Sequence, residues 1–322
     1  MNEIFNKFLN DWFSEAEEIN LTTSGSTGKP KAISVPKKSM VESAQRTIEF
    51  FELKPGMSAL LCLPIEYIAG KMMVVRAIVG QMNLVTVEPS GLPLQSIDKV
   101  IDFAAFTPMQ LYNELSIKSN PKLAFLRKVI VGGAAVNEEL SSMIQKQKFE
   151  VYETYGMTET CSHIALKRLN GKHIQKSFYP LKGIKISLDN NNCIVINMEN
   201  GDKICTCDIG ETLSDGSFTI HGRIDNVINT GGIKISPEKI ESIISSVIRD
   251  KFYISSIPHP SLGEQVVLVM EKPINEPQKL LLSLKKHLSK YEIPTLYQID
   301  KFPLTESGKI RREELKKLLL KH

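Results

Sequence analysis

Leu21-Thr-Thr-Ser-Gly-Ser-Thr-Gly-Lys-Pro-Lys-Ala-Ile-Ser-Val35 is the stretch from which the rest of the chain can be read. From Thr22 to Gly28 every residue is Ser, Thr or Gly, and Lys29 and Lys31 follow at once. Such a loop suits phosphate. Gly25 and Gly28 let the backbone turn its N–H groups toward an anion, the hydroxyls of Thr23, Ser24, Ser26 and Thr27 add donors at little steric cost, and Lys31 supplies charge. A Walker loop is excluded, because Gly28-Lys29 is followed by Pro30 and has Thr23 where that motif needs its first glycine. A flexible Ser/Gly linker is the other reading. Against it, Ala32-Ile33-Ser34-Val35 has the composition of a strand leaving the loop, and Pro30 stiffens the join.

Outward from this loop, 322 residues suffice for a large core and a smaller second unit. A net charge of +4, with no dense interleaving of basic and aromatic residues, argues against nucleic acid as a partner. The five cysteines are odd in number and irregular in spacing, so neither a disulfide framework nor a zinc site is expected. Residues 2–18 are acidic and place Ile4, Phe5, Phe8, Leu9, Trp12 and Phe13 on one helical face, a docking helix rather than a leader. No apolar run nears the ~20 residues of a membrane span. The expectation is a soluble cytoplasmic protein without membrane insertion.

Strand and helix patterns alternate after the loop. Strands are expected at 59–63, 84–87, 103–106, 128–131 and 150–153, and helices near 38–50, 69–80, 108–115 and 137–146. This is the rhythm of an α/β domain built on a mostly parallel sheet, in which ligands bind outside the carboxyl ends of the strands. Two such ends carry unusual residues. Val131 runs into Gly132-Gly133-Ala134, where a flat ring could lie against bare backbone. Tyr152-Glu-Thr-Tyr-Gly-Met-Thr-Glu159 offers an aromatic ring for a base, hydroxyls for phosphate and a carboxylate for magnesium. From 180 to 222 the pattern changes to short hairpins, and from 224 to 322 to a compact α+β segment.

Thr23-Ser-Gly-Ser-Thr-Gly-Lys-Pro-Lys31 resembles the phosphate loop of the adenylate-forming superfamily, which includes acyl-CoA synthetases, luciferases and peptide-synthetase adenylation domains. Further segments resemble its motifs in the same order: 132–134, 152–159, Cys205-Thr-Cys-Asp208, Gly222-Arg-Ile-Asp-Asn-Val-Ile-Asn-Thr-Gly-Gly232 and Phe302-Pro-Leu-Thr-Glu-Ser-Gly-Lys309. The resemblance implies ATP, magnesium and CoA as reactants and cofactor. It places adenine between Gly132–Ala134 and Tyr155-Gly156, with Thr158 on phosphate and Glu159 on magnesium. Ribose falls to Asp208 and Arg223, although Cys207 stands where the family has glycine. Asp225 is the implied hinge between a large domain, 1–223, and a small lid, 224–322. Gly231 and Gly232 border the CoA channel, and Lys309 is the catalytic cation. Leu63-Pro-Ile-Glu-Tyr-Ile-Ala-Gly-Lys-Met72 and the segment at 155–162 are most similar to o-succinylbenzoate–CoA ligases. For such a dicarboxylic substrate Tyr67 and Lys71, four apart and hence on one helical face, are the candidates, and Arg76, on another face, is the weaker one. A stand-alone enzyme loading an acid onto a carrier protein and a nucleotide-binding protein without turnover are the alternatives.

Overall fold

The structure is a computed structural model and describes residues 2–22, 32–248, 250–305 and 310–320. The expected phosphate loop, 23–31, and the expected catalytic Lys309 lie outside the described residues. The chain forms two compact units, Met1–Lys185 and Ile186–His322.

In the first unit, α1 (Asn2–Phe13) precedes an antiparallel pair, β1 (Glu18–Thr22) and β2 (Ala32–Pro36), whose register sets Thr22 opposite Ala32. The helix ends at Phe13 rather than at residue 18, and it docks as its apolar face requires. Phe8 is buried, and Phe5, Leu9 and Trp12 pack against the same core. There follow α2 (Lys37–Phe51), β3 (Ser58–Leu61), α3 (Ile68–Val79), β4 (Asn83–Thr86), β5 (Ile101–Phe106), α4 (Pro108–Ser116), β6 (Leu126–Val131), α5 (Glu138–Ile144), β7 (Glu150–Met157), β8 (Ser162–Arg168) and β9 (Tyr179–Pro180). Their sheet has the order β4-β3-β5-β6-β7-β8-β9, parallel through β7 and antiparallel beyond. Its middle strands are apolar on both faces: Phe103, Ala104, Ala105 and Phe106 of β5 and Val129, Ile130 and Val131 of β6 are all buried. A strand covered on both sides needs helices on both sides, which the crossovers supply. Thr107 starts α4 with a capping box, accepting from the Gln110 N–H at 3.2 Å while Gln110 Oε1 accepts from the Thr107 N–H at 3.0 Å.

The second unit begins with a four-stranded antiparallel meander, β10 (Ile184–Leu188), β11 (Cys193–Met198), β12 (Lys203–Thr212) and β13 (Phe218–Arg223). A further sheet holds β14 (Ile228–Thr230), β15 (Ile233–Ile235), β16 (Phe252–His259), β17 (Gly263–Met270) and β18 (Thr295–Gln298), accompanied by α6 (Pro237–Ile244), α7 (Pro277–Leu284) and α8 (Arg312–Leu319). One face of this sheet packs Ile254, Val266 and Leu268 on Ile240, Ile244 and Leu284; the other packs Val267 and Val269 on Phe302, Leu315 and Leu319. The strands of 186–223 therefore group with the C-terminal part.

Candidate active site

Two strand ends in the first unit carry the expected adenine-side residues. At the end of β6 a Cβ on Gly132 would lie 2.1 Å from Thr154 Oγ1, so only glycine lets β6 run this close to β7. The loop after it is tied to the sheet by Glu153, whose carboxylate accepts from the Val136 N–H at 3.0 Å and pairs with Lys167 at 2.6 Å. Gly133 has φ +92°, and Ala134 follows it in the same loop. Tyr155, on β7, is buried with its ring 6.0 Å from that of Phe178.

The hairpin from β7 to β8 presents Thr158 and Glu159. It is built on a close approach, since a Cβ on Gly156 would lie 2.2 Å from the Ser162 carbonyl oxygen. The buried Thr160 hydroxyl accepts from the Met157 N–H at 2.9 Å and donates to the Ser162 carbonyl at 2.6 Å. Cys161 and Ser162 are held at φ +55° and +94°, backbone that side-chain-bearing residues adopt only at a cost of about 1–3 kcal/mol each. Glu159 is exposed at the tip.

Behind this hairpin lies the weaker of the sequence candidates, in surroundings that helical spacing does not reveal. Arg76 of α3 is 1% exposed, and its partners are all neutral. Nε donates to Thr47 Oγ1 at 3.2 Å, and Nη2 donates to Ser162 Oγ at 2.9 Å and to His163 Nδ1 at 3.3 Å. No carboxylate pairs with it among the described residues, and burial pulls its pKa down to about 9. A guanidinium taken from water without a counter-charge is costly.

Lys71, by contrast, is committed to architecture. Its ammonium donates to the carbonyls of Ile65 (2.8 Å) and Glu66 (2.9 Å) and lies 5.8 Å from the Phe8 ring centroid, which ties the turn before α3 to α1. Tyr67 sits at the N-cap of α3 and is partly exposed.

In the second unit the register of β12 and β13 puts Asp208 opposite Arg223. Arg223 Nη1 meets Asp208 Oδ1 at 3.1 Å, while Nε and Nη2 grip both oxygens of Asp225 at 2.9 and 2.7 Å. The hydrogen bonds to Asp225 raise the arginine further above its ordinary pKa, with Asp208 adding to the effect. Three residues singled out separately in the sequence thus form one ion cluster. Cys207, beside it, is exposed. Gly231 and Gly232, at φ +57° and +81°, make the two-residue turn joining β14 to β15.

A family profile described as AMP-binding enzyme matches residues 20–222. The chain belongs to the AMP-binding enzyme family. Among curated members, the 2-succinylbenzoate–CoA ligases of Haemophilus influenzae and Escherichia coli are each 28% identical to it. The first match spans 93% of this chain and 70% of the relative, the second 91% and 67%. Among solved structures, the acyl-CoA synthetase (AMP-forming)/AMP-acid ligase II-like protein of Dyadobacter fermentans is 36% identical with a TM-score of 0.66, over 99% of this chain and 95% of that one. ATP-bound MatB of Rhodopseudomonas palustris, 18% identical, shares the fold with a TM-score of 0.81 over 93% of this chain and 67% of its own.

Proposed function

We propose that this family member is an AMP-forming acid–CoA ligase whose substrate is an aromatic dicarboxylic acid of the o-succinylbenzoate type. The observation that carries the substrate class is the buried Arg76 with only neutral partners, and the substrate names of the relatives favour the same reading. A substrate with two carboxylates presents one for activation and one that must be held without reacting. Arg76 Nη1 has two N–H groups with no acceptor among the described residues, and either can donate a charge-assisted hydrogen bond to a carboxylate oxygen. The spare-carboxylate role thereby passes from Lys71 to Arg76.

In the first step the free carboxylate attacks the α-phosphorus of ATP, giving acyl-adenylate and pyrophosphate. Lys309 is assigned to the charge that accumulates there, the segment 23–31 to the phosphates and Asp208 with Arg223 to the ribose. Magnesium supplies charge neutralisation of the phosphates when bound. Glu159, exposed at the tip of the hairpin, would be its protein carboxylate, as suits an ion held chiefly by phosphate and water. In the second step the CoA thiol, losing its proton, attacks the acyl carbonyl and AMP leaves. A turn of the chain at Asp225 between the steps is the accompanying proposal.

The test is Arg76→Met, assayed by pyrophosphate release. The KM for o-succinylbenzoate rises by roughly 100-fold, as expected for truncating a buried charge partner. The KM values of the monocarboxylic acids 4-oxo-4-phenylbutanoate and benzoate, each lacking one of the two carboxylates, change little. Equal changes for all three acids contradict the assignment.

A further inference from the structure

One arrangement of protons satisfies all the contacts around Arg76, the 3.4 Å approach of Ser162 Oγ to His163 Nδ1 included. The Thr47 hydroxyl has a single hydrogen, and the Ser43 carbonyl, 3.2 Å away, can only accept it. Arg76 Nε can only donate to Thr47. The remaining contact of Thr47 Oγ1, with His163 Nε2 at 3.2 Å, is satisfied when the imidazole carries its proton on Nε2. That leaves Nδ1 with its lone pair facing the Arg76 Nη2 N–H at 3.3 Å, the polarity which an arginine requires. His163 is 3% exposed, and burial together with Arg76 and Arg46 holds its pKa well below the usual histidine range, so the neutral ring persists. A guanidinium beside an imidazolium would face a donor and a like charge.

The backbone is shaped to this end. Positive φ at Cys161 and Ser162 bends the chain between the Glu159 tip and β8, so that the Ser162 hydroxyl and the His163 ring reach the same nitrogen of Arg76. Ser43 Oγ donates to the Cys161 carbonyl at 2.8 Å and fixes the bend from α2. Nη2 and Nε are thus occupied by three neutral acceptors, and Nη1 is left without an acceptor among the described residues.

We infer that His163, with Thr47, is a positioning residue that sets substrate selectivity by holding the Arg76 guanidinium in one orientation for the second carboxylate of the substrate. This rests on the dicarboxylate reading above. Neutral acceptors orient the cation without neutralising it, so its charge stays available to the substrate; an acidic partner in place of His163 would consume it. The same contact joins the selectivity cation to the hairpin that carries Thr158 and Glu159.

The test compares His163→Leu, His163→Asn and Thr47→Val with the wild type, using KM and kcat for o-succinylbenzoate and for 4-oxo-4-phenylbutanoate and benzoate. Leucine removes the acceptor, and asparagine returns one near the position of Nδ1. His163→Leu and Thr47→Val are expected to raise the dicarboxylate KM by roughly tenfold or more, the effect of one lost hydrogen bond to a charge, with kcat and the monocarboxylate KM values nearly unchanged. His163→Asn should recover most of the loss. Parallel losses on all acids, a wild-type dicarboxylate KM in His163→Leu, or no rescue by asparagine overturns the inference. Should His163→Leu fail to fold, Thr47→Val and His163→Asn decide by the same ratio. A wild-type enzyme that does not prefer the dicarboxylate overturns the underlying reading instead, and Arg76→Met sensitivity without His163 sensitivity overturns this inference alone.

Discussion

Removing the cation from the Arg312–Glu241 pair tests how the C-terminal segment is anchored. Arg312 opens α8. Its Nη2 meets both oxygens of Glu241 at 3.0 and 2.9 Å, its Nη1 donates to the Ile254 carbonyl at 2.8 Å, and its Nε lies 3.4 Å from Glu238. The two side chains are 17% and 19% exposed, and burial keeps the Glu241 carboxyl above its ordinary pKa even with the guanidinium beside it. Losing one member of a buried pair costs about 3–5 kcal/mol. Glu241 keeps the Ile254 N–H at 2.8 Å, which places Arg312→Met near the lower limit, about 3 kcal/mol. Arg312→Met with Glu241→Gln, which removes the more buried of the two carboxylates left without their cation, should recover part of that loss. Urea unfolding, followed by near-ultraviolet circular dichroism, gives both values. The same pair fixes α8 just after the Leu304–Ile310 bridge and the Arg311 N–H to Pro303 carbonyl bond at 2.8 Å, so the adenylation rate should fall with stability. A loss under about 1 kcal/mol, or no recovery in the double variant, would show that the charges are solvated and the reasoning wrong.

Lys309→Ala should slow acyl-adenylate formation by about 100-fold, or on the order of 3 kcal/mol, and spare thioester formation from supplied adenylate; a wild-type adenylation rate removes the residue from the mechanism. Asp225→Pro, which fixes φ near about −65°, should separate the two half-reactions, and equal loss of both with the fold retained argues against a hinge. Lys71→Met should lower Tm through the lost Ile65 and Glu66 contacts while leaving the ratio of dicarboxylate to monocarboxylate KM unchanged; a changed ratio returns Lys71 to the substrate. His163, neutral when folded because of burial, Arg76 and Arg46, contributes nothing to pH dependence above its ordinary value near 6.5, and below it the unfolded chain takes up a proton that the folded chain refuses. Stability therefore falls as pH drops below about 6.5 until the folded-state pKa is reached, and His163→Asn should flatten that part of the Tm–pH curve; identical curves refute the neutral-ring assignment.

The parallel sheet was legible because its strands are buried on both faces and therefore read as unbroken apolar runs such as Leu60-Leu61 and Ile130-Val131. Asp208 and Arg223 were legible from motif resemblance, but their pairing was not, since only the β12–β13 register makes neighbours of residues so far apart in sequence. β1 and β8 went unread. β1 is a short strand completed by β2 across the Ser/Thr/Gly loop, and β8 follows a turn whose positive φ values fall on Cys161 and Ser162 rather than on glycine. Arg76 ranks below Lys71 on a face argument that presumes a helix with one apolar stripe. Met72, Met73, Val74, Val75 and Ala77 are all buried, so α3 is covered nearly all round and has no solvent face for an arginine to seek. The signal available in the sequence was the arginine itself, the one charge within Met72-Met-Val-Val-Arg-Ala-Ile-Val79.

The most direct measurement is product analysis by mass spectrometry after the purified protein is incubated with o-succinylbenzoate, ATP, magnesium and CoA. The expected products are o-succinylbenzoyl-CoA and AMP in equal amounts, with pyrophosphate, and acyl-adenylate accumulating when CoA is omitted. ADP and phosphate as products, or adenylate that forms but never passes to CoA, would contradict the CoA-ligase assignment.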